Sequence, residues 1–188
     1  LTLDIAVIIG STRPERLGPD VGRWVHEHAS KRNDANFELI DLADHQLPHL
    51  DEVGLGSAYQ NQHTKDWSAK IAPFDGYVFV TAEYNHSIPS ALKGAIDFLS
   101  TEWANKAAAI VSYGGGSGGA RAAEHLRLVL TELRVANIRT QLTLPMTTEF
   151  KDFTTFAPGD YQLPFMERML DELIAWSGAL KPLRTQNR

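Results

Sequence analysis

A chain of 188 residues, 43% hydrophobic and 22% charged, suits one globular domain over residues 1–188 with a core that needs no staple. The absence of cysteine excludes a disulfide framework, a thiolate metal centre and a cysteine nucleophile, and it fits a reducing compartment. A formal net charge of −5 argues against a nucleic-acid partner, because phosphate contacts need a basic surface.

The N-terminal Leu1-Thr2-Leu3-Asp4 has no charged-then-apolar signal pattern and runs straight into an apolar stretch. No apolar run reaches the roughly 18 residues that a membrane helix needs. A cytoplasmic protein without a membrane partner is expected.

The first predicted strand is Leu3 to Ile9, stopped by Gly10. A helix from about Pro19 to Lys31 follows, with Val21, Trp24, Val25 and His28 on one side. Asn36 to Leu42 reads as a second strand. Ala43 to Ser57 is polar and holds Pro and Gly without a clear period, so a surface excursion is expected. Gln60 to Ile71 reads as a helix and Tyr77 to Thr81 as a continuous apolar strand. A third helix runs from Pro89, favoured in a first turn, to about Leu99. Ala107 to Ser112 is a strand, Ser117 to Leu133 a helix striped by Leu126, Val129, Leu130 and Leu133, Ile138 to Leu144 a fifth strand, and Tyr161 to Leu180 a closing helix.

The runs at Leu3, Tyr77 and Ala107 are nearly all apolar rather than alternating, as in strands covered on both faces. Five strands alternating with five helices give a doubly wound α/β fold: a five-stranded parallel sheet with helices on both faces. The order adopted is 2-1-3-4-5, which places ligands at the carboxyl ends of strands one and three.

Three loops at those strand ends carry unusual residues. Gly10-Ser11-Thr12-Arg13-Pro14-Glu15-Arg16-Leu17-Gly18 offers two hydroxyls, two arginines and helix-terminal amides, which suit a phosphate; a polar turn with a Ser or Thr cap accounts for it equally. It lacks the Gly-Lys-Ser/Thr ending of a Walker A loop and the spaced glycines of the dinucleotide fingerprint. Thr81 to Pro89 holds Tyr84, Asn85 and Ser87 and could read the edge of a flat heterocycle, or simply cap the third helix. Ser112-Tyr113-Gly114-Gly115-Gly116-Ser117-Gly118-Gly119 would let backbone approach a flat ligand closely, or form a mobile lid. Together the loops meet the needs of a mononucleotide with a flat ring.

The motifs Gly10-Ser11-Thr12-Arg13-Pro14 with Arg16, Glu83-Tyr84-Asn85-His86-Ser87-Ile88-Pro89 with Ala91-Leu92-Lys93, and Ser112-Tyr113-Gly114-Gly115 with Ser117-Gly118-Gly119 resemble those of the NAD(P)H-dependent FMN reductases, a flavodoxin-like family that includes quinone, azo-dye and chromate reductases. The resemblance covers about Leu3 to Pro145. It implies a phosphate site at Ser11, Thr12, Arg13 and Arg16 with Pro19 nearby. It implies flavin-ring contacts at Glu83, Tyr84, Asn85 and Ser87, largely through backbone, and at Ser112, Tyr113, Gly114 and Gly115. FMN, with NADPH or NADH as hydride donor, and a small-molecule electron acceptor are implied, with ping-pong kinetics and no catalytic side chain. Glu15 stands where relatives often have Gly, Ala82 where Pro is usual, and Gly94 where Asn is common.

Other patterns carry less. His45 and His49 flank Pro48, which argues against a helical metal face, so no metal site is expected. Asp4, Asp41 and Lys106 lack the acidic pair of a receiver domain, and Ser112 lacks the nucleophile-elbow glycines. The tryptophans read as packing residues. Phe98, Leu99 and Trp103 lack obvious partners in one sandwich, so a homodimer or homotetramer built partly there is expected. Leu47-Pro48-His49-Leu50 is a candidate acceptor wall or a plain surface loop. The competing reading of another class is a flavodoxin-type electron carrier without its own NAD(P)H activity.

Overall fold

The apolar runs form the central strands. A computed structural model describes residues 2–185 except Leu55 and Ser57; the expected excursion Ala43 to Ser57 therefore includes two positions outside the described residues. In chain order the elements are β1 (Leu3–Ile9), α1 (Gly18–Ala29), β2 (Ala35–Asp41), α2 (Gln62–Ile71), β3 (Gly76–Ala82), α3 (Ser90–Asp97), β4 (Lys106–Gly114), α4 (Ala120–Glu132), β5 (Val135–Asn137), β6 (Leu142–Pro145), α5 (Met146–Glu149), β7 (Phe150–Lys151), β8 (Thr155–Phe156) and α6 (Leu163–Thr185). The main sheet is parallel with order β2-β1-β3-β4-β5, and β6 also pairs with β4. This is the expected winding, and it reverses between β1 and β3, which opens a crevice at their carboxyl ends.

Every residue of β3 and β4 is buried. Alternate side chains feed two cores. Val78, Val80, Ala109 and Val111 face Val21 and Val25 of α1 and Met166, Leu170 and Leu173 of α6. Tyr77, Phe79, Ala108 and Ile110 face Trp67 of α2, Leu92 and Ile96 of α3, and Leu126 and Leu130 of α4. Helices thus cover both faces, which is why the strands read as unbroken apolar runs.

Two expectations need correction. The fifth strand, read as Ile138 to Leu144, is broken into β5 and β6. The amides of Arg139 and Thr140 leave the sheet and donate to the Glu172 carboxylate on α6 at 2.9 and 3.0 Å. The polar Arg139-Thr140-Gln141 insert interrupts the ladder without ending it. Secondly, Phe98, Leu99 and Trp103 do not form an exposed patch: they are 0%, 2% and 0% exposed, and Trp103 Nε1 donates to the Ile96 carbonyl at 3.0 Å. They close the core of a single chain, packed against Tyr77, Phe79 and Trp67.

The stretch before α6 contains an antiparallel β7–β8 hairpin with a two-residue register, Phe150 with Phe156 and Lys151 with Thr155. Lys106, at the start of β4 and so at the opposite end of that strand from the crevice, is buried and donates to the Ala72 carbonyl and Tyr77 Oη, both at 2.9 Å.

Candidate functional site

The crevice holds two clefts, one on either side of the β1–α1 loop. The first, of about 430 Å³, is lined by Arg13, Glu15, Arg16, Leu17, Tyr84, Tyr113, Met146, Phe153 and Thr154. The second, of about 520 Å³, lies between the chain after β2 (Leu42 to Leu50) and α3, with Thr12 at its edge. Both are in the size range of small-ligand sites.

The β1–α1 loop is held at its root. Gly10 donates to the Val80 carbonyl at 2.9 Å, and Ser11 is 1% exposed with its Oγ 2.8 Å from Tyr84 Oη. Beyond that root, the backbone amides of Ser11, Thr12 and Arg13 donate to no protein acceptor among the described residues. Pro19 sits in the first turn of α1, where its missing N–H costs nothing. Arg13 is exposed and reaches only the Pro14 carbonyl, at 3.3 Å. Arg16 is ion-paired to Asp41 at the end of β2, yet its Nε is buried with no hydrogen-bond partner.

Glu15 stands in the left-handed region at φ 56°. That conformation favours glycine and is strained for a glutamate.

The Tyr84–Ser87 segment is a tight turn. Tyr84 and Ser87 exchange backbone hydrogen bonds at 2.9 and 3.1 Å, with Asn85 at φ 50° and His86 at φ 66° between them. Two successive positive φ values give the type I′ pattern, which asparagine tolerates well. Asn85 is exposed at the tip, and the Ser87 Oγ lies 3.1 Å from His125 Nδ1.

The Glu83 side chain turns away from the cleft. It accepts from Arg121 Nε at 2.7 Å and from the Arg121 and Ala122 amides at 3.1 and 3.3 Å, so it caps α4. Burial alone would raise its carboxyl; Arg121 and the amides overcome this and hold it below the ordinary carboxylate range.

In the glycine loop, Ser112 is 0% exposed and its Oγ donates to the Gly118 carbonyl at 2.9 Å. Its hydroxyl braces the loop rather than facing the crevice. Gly119 begins α4 at φ 81°, and a Cβ there would come within 2.9 Å of Ser112 and Tyr113 atoms, so only glycine fits. Gly114 is buried, and a Cβ there would fit tightly, 3.1 Å from Glu83 and 3.2 Å from Gly119 atoms, whereas Gly115 is exposed and unobstructed. Tyr113 is 5% exposed; burial pushes its phenol well above the ordinary value, so it stays a neutral donor. Its Oη reaches the Gly18 amide but forms no hydrogen bond of good geometry.

Of the residues expected at the site, the first cleft gathers Arg13, Arg16, Tyr84 and Tyr113. Ser11 supports it from beneath through Tyr84, and Thr12 lines the second cleft. Pro19, Glu83, Asn85, Ser87, Ser112, Gly114 and Gly115 flank the crevice without lining the first cleft.

Sequence reasoning missed Leu17, Met146, Phe153 and Thr154 as lining residues, and Asp41 as the partner of Arg16. Asp41 was legible only near the end of a predicted strand and as one member of a rejected receiver-like trio. The hairpin residues gave no pattern, because strands of two residues are too short to alternate.

The cleft fits a phosphorylated ligand with a flat aromatic part. It joins two guanidinium groups, one with a free buried Nε, to the aromatic walls of Tyr84 and Tyr113, with the unpaired amides of the β1–α1 loop at its edge. The family model for NADPH-dependent FMN reductase matches residues 3–149. An NAD(P)H-dependent FMN reductase of Schizosaccharomyces pombe is 42% identical over 150 residues, covering 77% of this chain and 75% of that protein. An NAD(P)H:quinone oxidoreductase of Solanum tuberosum is 51% identical over 97 residues, covering 50% and 48%. Among solved structures, the FerB flavoenzyme NAD(P)H:(acceptor) oxidoreductase of Paracoccus denitrificans shares the fold, with a TM-score of 0.74 at 22% identity over 95% of this chain and 98% of that one. The chain is therefore a flavodoxin-like oxidoreductase that belongs to the NADPH-dependent FMN reductase family, with FMN as its flavin and NAD(P)H as its electron donor.

Proposed function

We propose that this protein holds FMN in the cleft between Arg13 and Tyr113 and reduces a small acceptor by a ping-pong mechanism. The observation that carries the site is the unpaired donor set in the β1–α1 loop: the amides of Ser11 to Arg13 beside the exposed Arg13 and the orphaned Arg16 Nε. Free backbone amides beside two guanidinium groups suit an anion.

In this reading Arg13 pairs with the phosphate and Arg16, steadied by Asp41, adds a second contact. The Tyr84–Ser87 turn and the exposed Gly115 present backbone beside the flat ring. FMN, held by Arg13, Arg16 and the loop amides, would supply the hydride-transfer chemistry between NAD(P)H and the acceptor. The protein binds, orients and polarises, and no side chain is needed as a general acid.

The second cleft supports an acceptor site. Leu47, Pro48, His49 and Leu50 wall it opposite Ser90, Ala91 and Gly94 of α3, and Thr12 joins it to the phosphate loop. The Solanum tuberosum relative is named for quinones, and a cleft that joins apolar side chains such as Leu47 and Leu50 to polar ones such as Gln46, His49 and Ser90 suits a quinone-like acceptor.

The proposal includes a cytoplasmic homodimer or homotetramer. With Phe98, Leu99 and Trp103 buried, the exposed Phe165, Trp176 and Leu183 of α6 are the apolar surface offered to a second copy. Light scattering that returns a monomer mass would remove the oligomer.

Steady-state oxidation of NADPH with a quinone as second substrate tests the activity. Parallel double-reciprocal lines are expected. Intersecting lines would exclude the two-half-reaction scheme, and no NADPH oxidation by the flavin-loaded protein would favour an electron carrier.

A further inference from the structure

The β7–β8 hairpin presents an outlier that the FMN site as described above leaves without a role. Thr154 donates its amide to the Lys151 carbonyl at 3.0 Å, closing a turn whose central residues, Asp152 and Phe153, stand at φ 50° and φ 57°. Both positions ask for Asn or Gly. A phenylalanine in the left-handed region is a genuine outlier, because its Cβ crowds the backbone.

Phe153 gains little in return from the protein itself. It is 57% exposed, although it lines the cleft shared with Arg13, Arg16 and Tyr84. Strained residues that persist in a fold cluster at ligand clamps.

The rest of the hairpin is fixed. Phe150 packs on Tyr113 and Phe156 with ring centroids 6.1 and 5.1 Å apart, and Phe156 meets Trp24 at 5.5 Å. The Glu149 carboxylate, 0% exposed, accepts from the Gly159 amide at 2.9 Å, from Thr148 Oγ1 at 3.1 Å and from Tyr161 Oη. The Ala157 amide donates to the Glu149 carbonyl at 2.8 Å. A rigid base thus holds one strained, exposed aromatic at the mouth of the cleft.

We infer that Phe153 is a flavin-retaining residue: its ring, held at the mouth of the first cleft by the turn, covers bound FMN and slows its release. This rests on the FMN site proposed above. A ring held in place by its turn covers a bound aromatic ligand without losing further freedom on contact. The strain at φ 57° is then offset only when the ligand is present.

The test is the FMN dissociation rate, followed by recovery of FMN fluorescence after dilution, for the wild-type protein and for Phe153→Gly, Phe153→Trp and Arg13→Ala. Phe153→Gly places Asp-Gly, a favoured type I′ pair, in the turn. Release should quicken at least about fivefold, from the lost aromatic contact, while the melting temperature of the flavin-free protein stays level or rises. A merely structural Phe153 would lower that melting temperature.

Phe153→Trp should restore slow release. If Phe153→Gly leaves release unchanged while Arg13→Ala weakens FMN binding, the retaining role is overturned and the FMN site stands. If neither variant alters FMN binding, the site itself is wrong. If Phe153→Gly changes only the oligomer mass, Phe153 is a subunit contact and the inference fails.

Discussion

Two excursions wall the crevice, one after β2 and one after β6, and each is fastened by a buried glutamate in a different way. Glu52 is 7% exposed and accepts chiefly from backbone, the amides of Val53, Gly54, Gln60 and Asn61 at 3.0, 3.1, 2.9 and 3.1 Å, with the Thr64 side chain beside it. Glu149 accepts one backbone amide and otherwise binds the side chains of Thr148, Tyr161 and Gln162. A backbone nest holds a loop whatever side chains the loop displays. A side-chain cluster ties the loop's shape to particular residues. The first design leaves the wall of the acceptor cleft free to vary, and the second locks the hairpin over the cleft assigned to FMN.

The comparison breaks most visibly at the hairpin base. Phe150 is 6% exposed and joins the core cluster of β4 and α6. Phe150→Ala should lower stability by about 3 kcal/mol, measured by urea denaturation, the usual cost of emptying a buried aromatic site. A change below about 1 kcal/mol would show that the hairpin is not anchored there.

A crossed pair of variants sharpens the contrast. Glu52→Gln should raise the KM for a quinone severalfold and leave FMN release unchanged. Glu149→Gln should quicken FMN release severalfold and leave the quinone KM unchanged. If each variant altered both readouts, the two loops would be one structural unit.

Acid gives a third test. Burial alone would raise the Glu52 carboxyl, but the amides of Gln60, Gly54 and Asn61 outweigh it and hold it at about 2, below the ordinary carboxylate range. The carboxylate's contribution is therefore complete above the ordinary carboxylate range and is lost as pH falls through about 2. Amide-exchange protection at Gly54 and Gln60, corrected for intrinsic rates, should persist at pH 4 and fade near pH 2. Protection that disappears already at pH 4 would refute the nest.

The smallest expected effect is at Glu15. Glu15→Gly relieves the positive φ and removes a carboxylate from the cleft, while the freer unfolded chain offsets part of the gain. Stability should change by less than about 1 kcal/mol, and FMN should bind slightly tighter in a fluorescence titration. Weaker binding would show that Glu15 supports the loop.

The same contrast explains what the sequence made legible. The parallel sheet covered on both faces follows from unbroken apolar runs such as Tyr77 to Thr81, whereas its strand order is adopted rather than read from them. The excursion after β2 is visible as polar chain with Pro48 and Gly54 between two periodic segments. The hairpin is not, because Phe150 and Phe156 are too few to show a period and Asp152-Phe153 violates the turn rules that would reveal it.

At the site, Arg13, Arg16, Tyr84 and Tyr113 were legible from loop composition and motif together. The inward commitments of Glu83 to Arg121 and of Ser112 to Gly118 were not, since a loop's polar side chains bear no mark of the direction they face. Phe98, Leu99 and Trp103 were misassigned because aromatic residues beyond a helix end look surplus until a long polar loop and α2 close over them. Tyr59 and Ser68 bind Glu102 at 2.9 and 2.6 Å, bringing that cover onto the α3–β4 connection.

The central claim, that the unpaired donors of the β1–α1 loop hold the FMN phosphate, is tested most directly by fluorescence titration of FMN into flavin-free wild-type and Arg13→Ala protein. Charge-assisted contacts contribute about 1.5–3 kcal/mol, so the variant should bind FMN at least about tenfold more weakly. Equal affinity of the two proteins would contradict the account.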